Sequence, residues 1–140
     1  AITGSKSYSI HFDLSIGGKP IERFSGDGIL VATSAGSTAY NYSVGGSIVD
    51  PRLNLLQVTP IAPMNTTVFR SFTSSILLPP DLTLGIVPET SEKIIYITND
   101  GIETGYSDLK EIEIKISDTS VNLIRFSDYD FWNKVKDKFL

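Results

Sequence analysis

The stretch "YSIHFDLSI", residues 8–16, decides the fold. Tyr8, Ile10, Phe12, Leu14 and Ile16 alternate with Ser9, His11, Asp13 and Ser15. A side-chain period of two is what a strand with one buried and one wet face requires. Gly17-Gly18-Lys19-Pro20 then supplies a turn, and Ile21 to Phe24 begins a return strand. Further along, "GILVAT" (28–33) is a short continuous apolar run, as expected of a strand buried on both faces. "LLQVTPIAP", "SSILLPP", "LTLGIVP", "KIIYITNDG", "EIEIKIS" and "SVNLIRF" follow as short segments punctuated by Pro, Gly, Ser and Asn-Asp-Gly. Short strands with turn signals roughly every 8–12 residues predict an all-β chain, a two-sheet β-sandwich. Two helices interrupt it. One is short, over Thr38–Val44 after "GSTAY", with Ser37 as its cap and Gly45-Gly46 as its end. The other is the tail, Asp130–Leu140, where Phe131, Val135 and Phe139 recur at intervals of four with Trp132 beside them, a face that packs onto the sandwich.

Composition bounds the function. A chain of 140 residues with 41% apolar and 20% charged residues has the make-up of one globular domain. Its formal charge of −4, with no basic stripe, excludes nucleic acid and anionic membrane as natural partners, since their phosphates would go unneutralised. No run approaches the roughly 18 apolar residues of a membrane span. There is no cysteine, so disulfides and thiolate metal sites are excluded, which suits a cytoplasmic setting. The chain opens on Ala1 and moves almost at once into a strand pattern, which suggests a piece of something longer.

Familiar phosphate loops fail on inspection. A P-loop needs Gly-Lys-Ser/Thr, and "AGST" carries no lysine. A dinucleotide fingerprint needs a third glycine where Val31 stands, and a β-like run follows in place of a helix. "NDGIETGYSDLKE" cannot be a calcium loop, because Tyr96 and Ser107 fall where carboxylates are required. His11 is the only histidine, so a Ser-His-Asp triad has no second ring to draw on, and its place on the polar side of a strand predicts a solvated residue. The charges from Lys110 to Lys115 read as the wet face of a strand. What remains is "GDGILVATSAGSTAY" (26–40), with Asp27 before a buried strand, free amides and hydroxyls at Gly36, Ser37 and Thr38, and a ring at Tyr40 suited to stacking. Asp100, in Asn-Asp-Gly, reads equally well as a turn residue.

The longer stretch "GDGILVATSAGSTAYNYSVGGSIVDP" resembles the signature of the NAD kinase family. The resemblance continues through "LLQVTPIAP", Arg70 after a Phe, the "LLPP" strand end, the Asp100-Gly101 turn and the tail helix. It implies that residues 1–140 are the C-terminal β-rich domain of such an enzyme, cytoplasmic and homodimeric or homotetrameric. Thr38, Ala39, Tyr40, Asn41, Tyr42 and Ser43 would line the NAD pocket, with Ala62 near it. Asp27 would bind the nicotinamide side, often across a subunit contact, and Asp100 completes the candidate set. Two positions depart from the pattern of many members: Met64 stands in place of His, and Ser71 in place of Pro.

The resemblance also implies what lies elsewhere. The family's catalytic aspartate belongs to a Gly-Gly-Asp-Gly motif in an N-terminal α/β domain, and residues 1–140 hold no such motif. No catalytic residue is therefore expected here. ATP or polyphosphate as donor and a divalent metal, Mg²⁺, are expected of the full enzyme, with none of that metal held by this chain alone. Physical chemistry agrees, since phosphoryl transfer relies on cations and no Lys or Arg stands between Gly26 and Pro51. A lipid kinase of the diacylglycerol or sphingosine type and a non-catalytic NAD(P)-sensing or oligomerisation module are the alternatives.

Overall fold

The computed structural model describes residues 1–5, 8–89 and 94–140. Ten strands form two antiparallel sheets: β1 (Ile2–Thr3), β2 (Ile10–Ile16), β3 (Lys19–Gly26), β4 (Gly28–Thr33), β5 (Leu56–Ile61), β6 (Ile76–Leu78), β7 (Leu84–Pro88), β8 (Ile94–Asn99), β9 (Ile102–Ser107) and β10 (Ile112–Ile114). One sheet runs β6-β5-β4-β1-β8-β9, the other β10-β7-β2-β3. The helices are α1 (Tyr40–Ser43), preceded by a 3₁₀ turn over Ala35–Thr38, and α2 (Phe131–Phe139).

The predicted alternation of β2 sets one inner face. Ile10, Phe12 and Leu14 are buried, and with Phe24 of β3 and Leu84 and Ile86 of β7 they meet Ile2, Ile29, Leu56, Val58, Leu78 and Ile95 of the other sheet. Two sheets sharing one apolar layer make the expected sandwich. β2 returns through a two-residue turn, with Gly17 at φ 57° and Gly18 at φ 75°, the positive values that the right-handed twist of a hairpin favours. Pro20 is tolerated because β3 is an edge strand with a register shift opposite Leu14/Ser15. Pro60 in β5 lies beyond the three residues that β6 covers, Leu56–Val58.

Several expectations are corrected. Tyr8 is not an inward residue of β2; it is 78% exposed, and the strand starts at Ile10. Two strands were not anticipated: β1 is too short to show a period, and β9 is exposed along its whole length and so lacks alternation. "SVNLIRF" is not a strand. It is rich in strand-favouring Val, Ile and Phe, but no described strand pairs with it, and Val121, Ile124 and Phe126 stand exposed. "KIIYITNDG" forms β8 from Ile94; Lys93 lies outside the described residues. Of "EIEIKIS", only Ile112–Ile114 pairs as a strand, while Glu111, Glu113 and Lys115 face solvent as expected.

The tail helix forms where expected and is capped by Asp130, whose carboxylate accepts from the Trp132 and Asn133 amides at 2.9 and 3.2 Å. Val135 is buried, and Phe139 lies 4.5 Å from the Tyr42 ring between centroids. At the helix's other end the Trp132 indole N–H donates to Asp50 Oδ2 at 3.0 Å. Asp50 also accepts from Arg52 Nε and Nη2 at 2.9 and 2.7 Å. These bonds, those from Arg52 foremost, hold the Asp50 carboxyl well below the usual carboxylate range. A group whose folded pKa is depressed stabilises the fold above its unfolded pKa and loses that contribution as pH falls. The contribution therefore fades below about pH 4, the unfolded value, and the helix should be released from Asp50 only as pH falls further, through the depressed folded pKa. Emission from Trp132, the only tryptophan, should shift in that range, and the shift should vanish in Asp50→Asn. An identical acid titration in the variant would contradict the contact.

Candidate functional site

Asp27 is the only residue between β3 and β4, at the point where the chain crosses from one sheet to the other. Its flanking glycines explain themselves by contact. A Cβ on Gly26 would lie 2.7 Å from the Phe24 ring and 2.9 Å from the Ala62 carbonyl oxygen. A Cβ on Gly28 would lie 2.5 Å from the Ile2 carbonyl oxygen and 2.8 Å from the Thr3 methyl. The glycines thus let the chain approach itself, which is a different use from cradling a phosphate. The Asp27 amide donates to Ile61 O at 2.9 Å, and its side chain is left exposed.

β4 then leads into the second half of the motif. Ser37, expected as a cap, is instead fully buried: its hydroxyl accepts from Val49 N at 3.0 Å and donates to Val49 O at 3.3 Å. The α1 N-cap position is Ala39, which makes no side-chain cap bond. Asn41, 1% exposed, donates to Ser37 O and Ser47 O at 3.1 and 3.2 Å and accepts from the Thr59 hydroxyl at 2.7 Å. Gly46 packs directly on that amide, where a Cβ would collide with it. Gln57 adds a reciprocal pair to the Ser47 backbone at 2.7 and 3.0 Å. A buried polar platform with its partners in place fixes the short helix from below. Tyr40 projects from it, 53% exposed.

Asp27 and Tyr40 meet at a cleft of about 700 Å³, within the size range of small-molecule sites. Of the residues singled out in the sequence, only these two line it. Ala62 follows the lining residue Ile61. Thr38 is half-buried, while Ala39 and Ser43 are exposed beside the cleft without lining it. Asn41 supports from beneath, Tyr42 turns toward Phe139, and Asp100, in the β8–β9 turn, does not line the cleft. There Asp100 (φ 47°) and Gly101 (φ 80°) form a two-residue hairpin loop between the paired Asn99 and Ile102. The turn reading accounts for that conformation.

Sequence reasoning missed the rest of the lining: Thr3, Gly4, Ser5, Tyr8, Ser9, Ile61, Tyr96 and Glu103. One signal was available for Tyr96. Gly105 stands opposite it in β9, and a Cβ there would meet the Tyr96 ring at 3.2 Å, so the glycine marks a close approach. Together the lining offers three phenol rings for stacking on flat bases, two carboxylates and several hydroxyls for sugar hydroxyls, and, among the described residues, no Lys, Arg or His. His11 is elsewhere and is not simply solvated. Its Nδ1 lies 2.7 Å from Ser25 Oγ, and its ring stacks on Phe69 at 5.3 Å.

Ala62, next to the lining residue Ile61, is strained, at φ 44°. An L-residue in the left-handed region costs roughly 1–2 kcal/mol, so its surroundings must hold it there. They do so on both sides, through Ile61 O to the Asp27 amide at 2.9 Å and the Met64 amide to Ser25 O at 2.8 Å.

Fold and cleft define a β-rich module whose two sheets join at a carboxylate facing an aromatic wall. Residues 1–126 match the ATP-NAD kinase C-terminal domain, and the chain belongs to that family. It is 40% identical over 135 residues to an NAD kinase of Lactobacillus johnsonii, covering 96% of this chain and 50% of that protein. It is 37% identical over 134 residues to an NAD kinase of Lactobacillus delbrueckii subsp. bulgaricus, with the same coverage. The chain thus spans about half the length of these curated relatives. A crystal structure of an NAD kinase from Archaeoglobus fulgidus in complex with ATP superposes with a TM-score of 0.69 at 28% identity, over 84% of this chain and 43% of that one. The yeast NADH kinase complexed with NADH gives 0.67 at 32% identity, over 80% of this chain and 31% of that one.

Gly28→Ala tests the crossing. The added methyl drives into the Ile2 carbonyl and should cost about 1–3 kcal/mol, the usual range for overpacking, read as a lower urea midpoint. An unchanged midpoint would mean that β1 does not press on Gly28.

Proposed function

We propose that this chain is the NAD-holding, C-terminal part of an NAD kinase. The whole enzyme would transfer a phosphoryl group from ATP or polyphosphate to the 2′-hydroxyl of the adenosine ribose of NAD, giving NADP. The observation that carries this reading is the meeting of Asp27 and Tyr40 at one cleft in a member of the NAD kinase family. The cleft's chemistry supports it: rings for the bases, carboxylates and hydroxyls for the riboses, and an acidic character suited to a nicotinamide cation.

The same cleft is poorly equipped for the phosphate donor. Phosphoryl transfer is largely positioning and neutralisation of charge, and among the described residues the lining has no cationic side chain. Among the described residues no three His, Cys, Asp or Glu side chains converge as a metal site. The donor, its metal and the base that takes the ribose proton belong in our reading to the N-terminal domain, and residues 1–140 alone make no NADP. We place the enzyme in the cytoplasm; no helix among the described residues is long and apolar enough to cross a membrane.

We also propose a homodimer or homotetramer. β9 is the outer strand of its sheet, exposed throughout, with Ile102 71% exposed, and it supplies Glu103 to the cleft. An unpaired edge is a ready surface for a second copy, which would then border the site. The lipid-kinase alternative is disfavoured by a lining of phenols, hydroxyls and carboxylates, which offers little to an acyl chain.

Light scattering on the protein at its natural length should give a dimer or tetramer, and a monomer would remove the β9 contact. NADP formation from NAD and ATP should be seen at natural length and be absent from residues 1–140. Tyr40→Ala should weaken NAD binding about two- to tenfold, the loss of one aromatic contact. Unchanged affinity would move the site away from Tyr40.

A further inference from the structure

The loop from Ala62 to Ser71 lies against the end of β3 and is fastened to it at one residue. Ser71, 7% exposed, accepts from Ser25 N at 2.9 Å and donates to Ser25 O at 3.1 Å through a single hydroxyl. Ser25 O also receives the Met64 amide at 2.8 Å. β3 is an edge strand, so this stretch of its backbone has no neighbouring strand on its outer side, and the loop satisfies it.

The loop is also closed upon itself. Asn65 Nδ2 donates to Ser71 O at 3.1 Å and Asn65 Oδ1 accepts from Ser71 N at 3.2 Å, so the amide copies the two-bond pattern of a paired strand. Asn65 and Arg70 form a backbone bridge, and the Thr66 hydroxyl accepts from the Val68 and Phe69 amides at 3.2 and 3.1 Å. The segment therefore moves as a unit, with Ser71 as its bolt at one end and the Ile61 O to Asp27 N bond at the other. Ala62, held at positive φ, lies between them.

We propose that Ser71 is a positioning residue for dinucleotide binding, acting through Ser25 and Asn65 to hold the Ala62 loop and Asp27 in one register on the cleft wall. This rests on the reading of the cleft as the NAD site. Ser71 does not itself line the cleft; its hydroxyl joins two segments that lead to the lining residues Asp27 and Ile61. A proline at this position has neither the hydroxyl for Ser25 nor the N–H for Asn65, so a chain with proline there needs another fastening.

The test uses the protein at its natural length. Ser71→Ala should raise KM for NAD about tenfold, the loss of one buried hydrogen-bonding group. kcat and KM for ATP should stay within about twofold, because binding common to ground and transition states is what is lost. Ser71→Thr, which keeps the hydroxyl, should restore the KM. Asn65→Ala, on an exposed side chain, should raise KM in the same sense and decides the matter if Ser71→Ala does not fold. Amide exchange at Asp27 should quicken in both deletion variants relative to wild type. A KM for NAD within twofold of wild type in a folded Ser71→Ala protein overturns the proposal, as does an equal fall in kcat. If wild type makes no NADP, the functional reading fails separately. The exchange at Asp27 then still judges the fastening, and an unchanged rate overturns it.

Discussion

A single residue separates β3 from β4, and in that step the chain passes from one sheet to the other. The passage is possible only if β1 and the end of β5 come close enough to close the corner, and the absence of side chains at Gly26 and Gly28 permits this. Everything at the cleft depends on that corner. β1 is drawn in between β4 and β8, which carries Thr3 to the rim and joins β8–β9 to the sheet. β5 is drawn in from the other side, which brings Ile61 to the Asp27 amide and sets Ala62 in its strained conformation. Asp27 is exposed because the corner leaves its side chain no interior to enter.

The opposite wall follows a different logic. Where the corner is tight backbone packing, the Tyr40 side is built on buried polar groups. Ser37, Asn41, Gln57 and Thr59 are all nearly or fully inaccessible, and their side chains are bonded to backbone or to one another. No buried side-chain polar atom among the described residues lacks a partner. A short helix has little stability of its own, so the platform beneath it decides where Tyr40 stands. Small hydroxyl and amide residues in the motif thus serve mostly as foundations, and the contacting surface is narrower than the motif itself.

The sandwich was legible because burial of one face stamps a period on β2, and burial of both faces stamps an apolar run on β4. The tail helix was legible from its four-residue spacing. β1 and β9 were not: two residues carry no period, and a strand exposed on both faces has no reason to alternate. "SVNLIRF" misled because its β-branched and aromatic residues favour a strand, while pairing depends on a neighbour that no described strand supplies. At the site, Asp27 and Tyr40 stood out because glycines and hydroxyls crowd around them. Tyr8, Tyr96 and Glu103 did not, since only the tertiary fold brings them to the cleft. Ser37 read as a cap from its position before a helix, yet the local sequence does not reveal that Val49 passes close enough to bind both sides of its hydroxyl. His11 read as solvated because its strand position is polar, while Phe69, which covers it, is distant in sequence.

The central claim is that the corner and the helix form two walls of one dinucleotide site. Backbone chemical shifts recorded as NAD is titrated into the protein at its natural length test this most directly. The account predicts that the largest changes fall together on Asp27, Tyr40, Tyr96 and Glu103, while Asp50 beneath the tail helix stays in place. Changes centred on the tail-helix surface around Asp50 and Trp132, with Asp27 and Tyr40 unmoved, would contradict it.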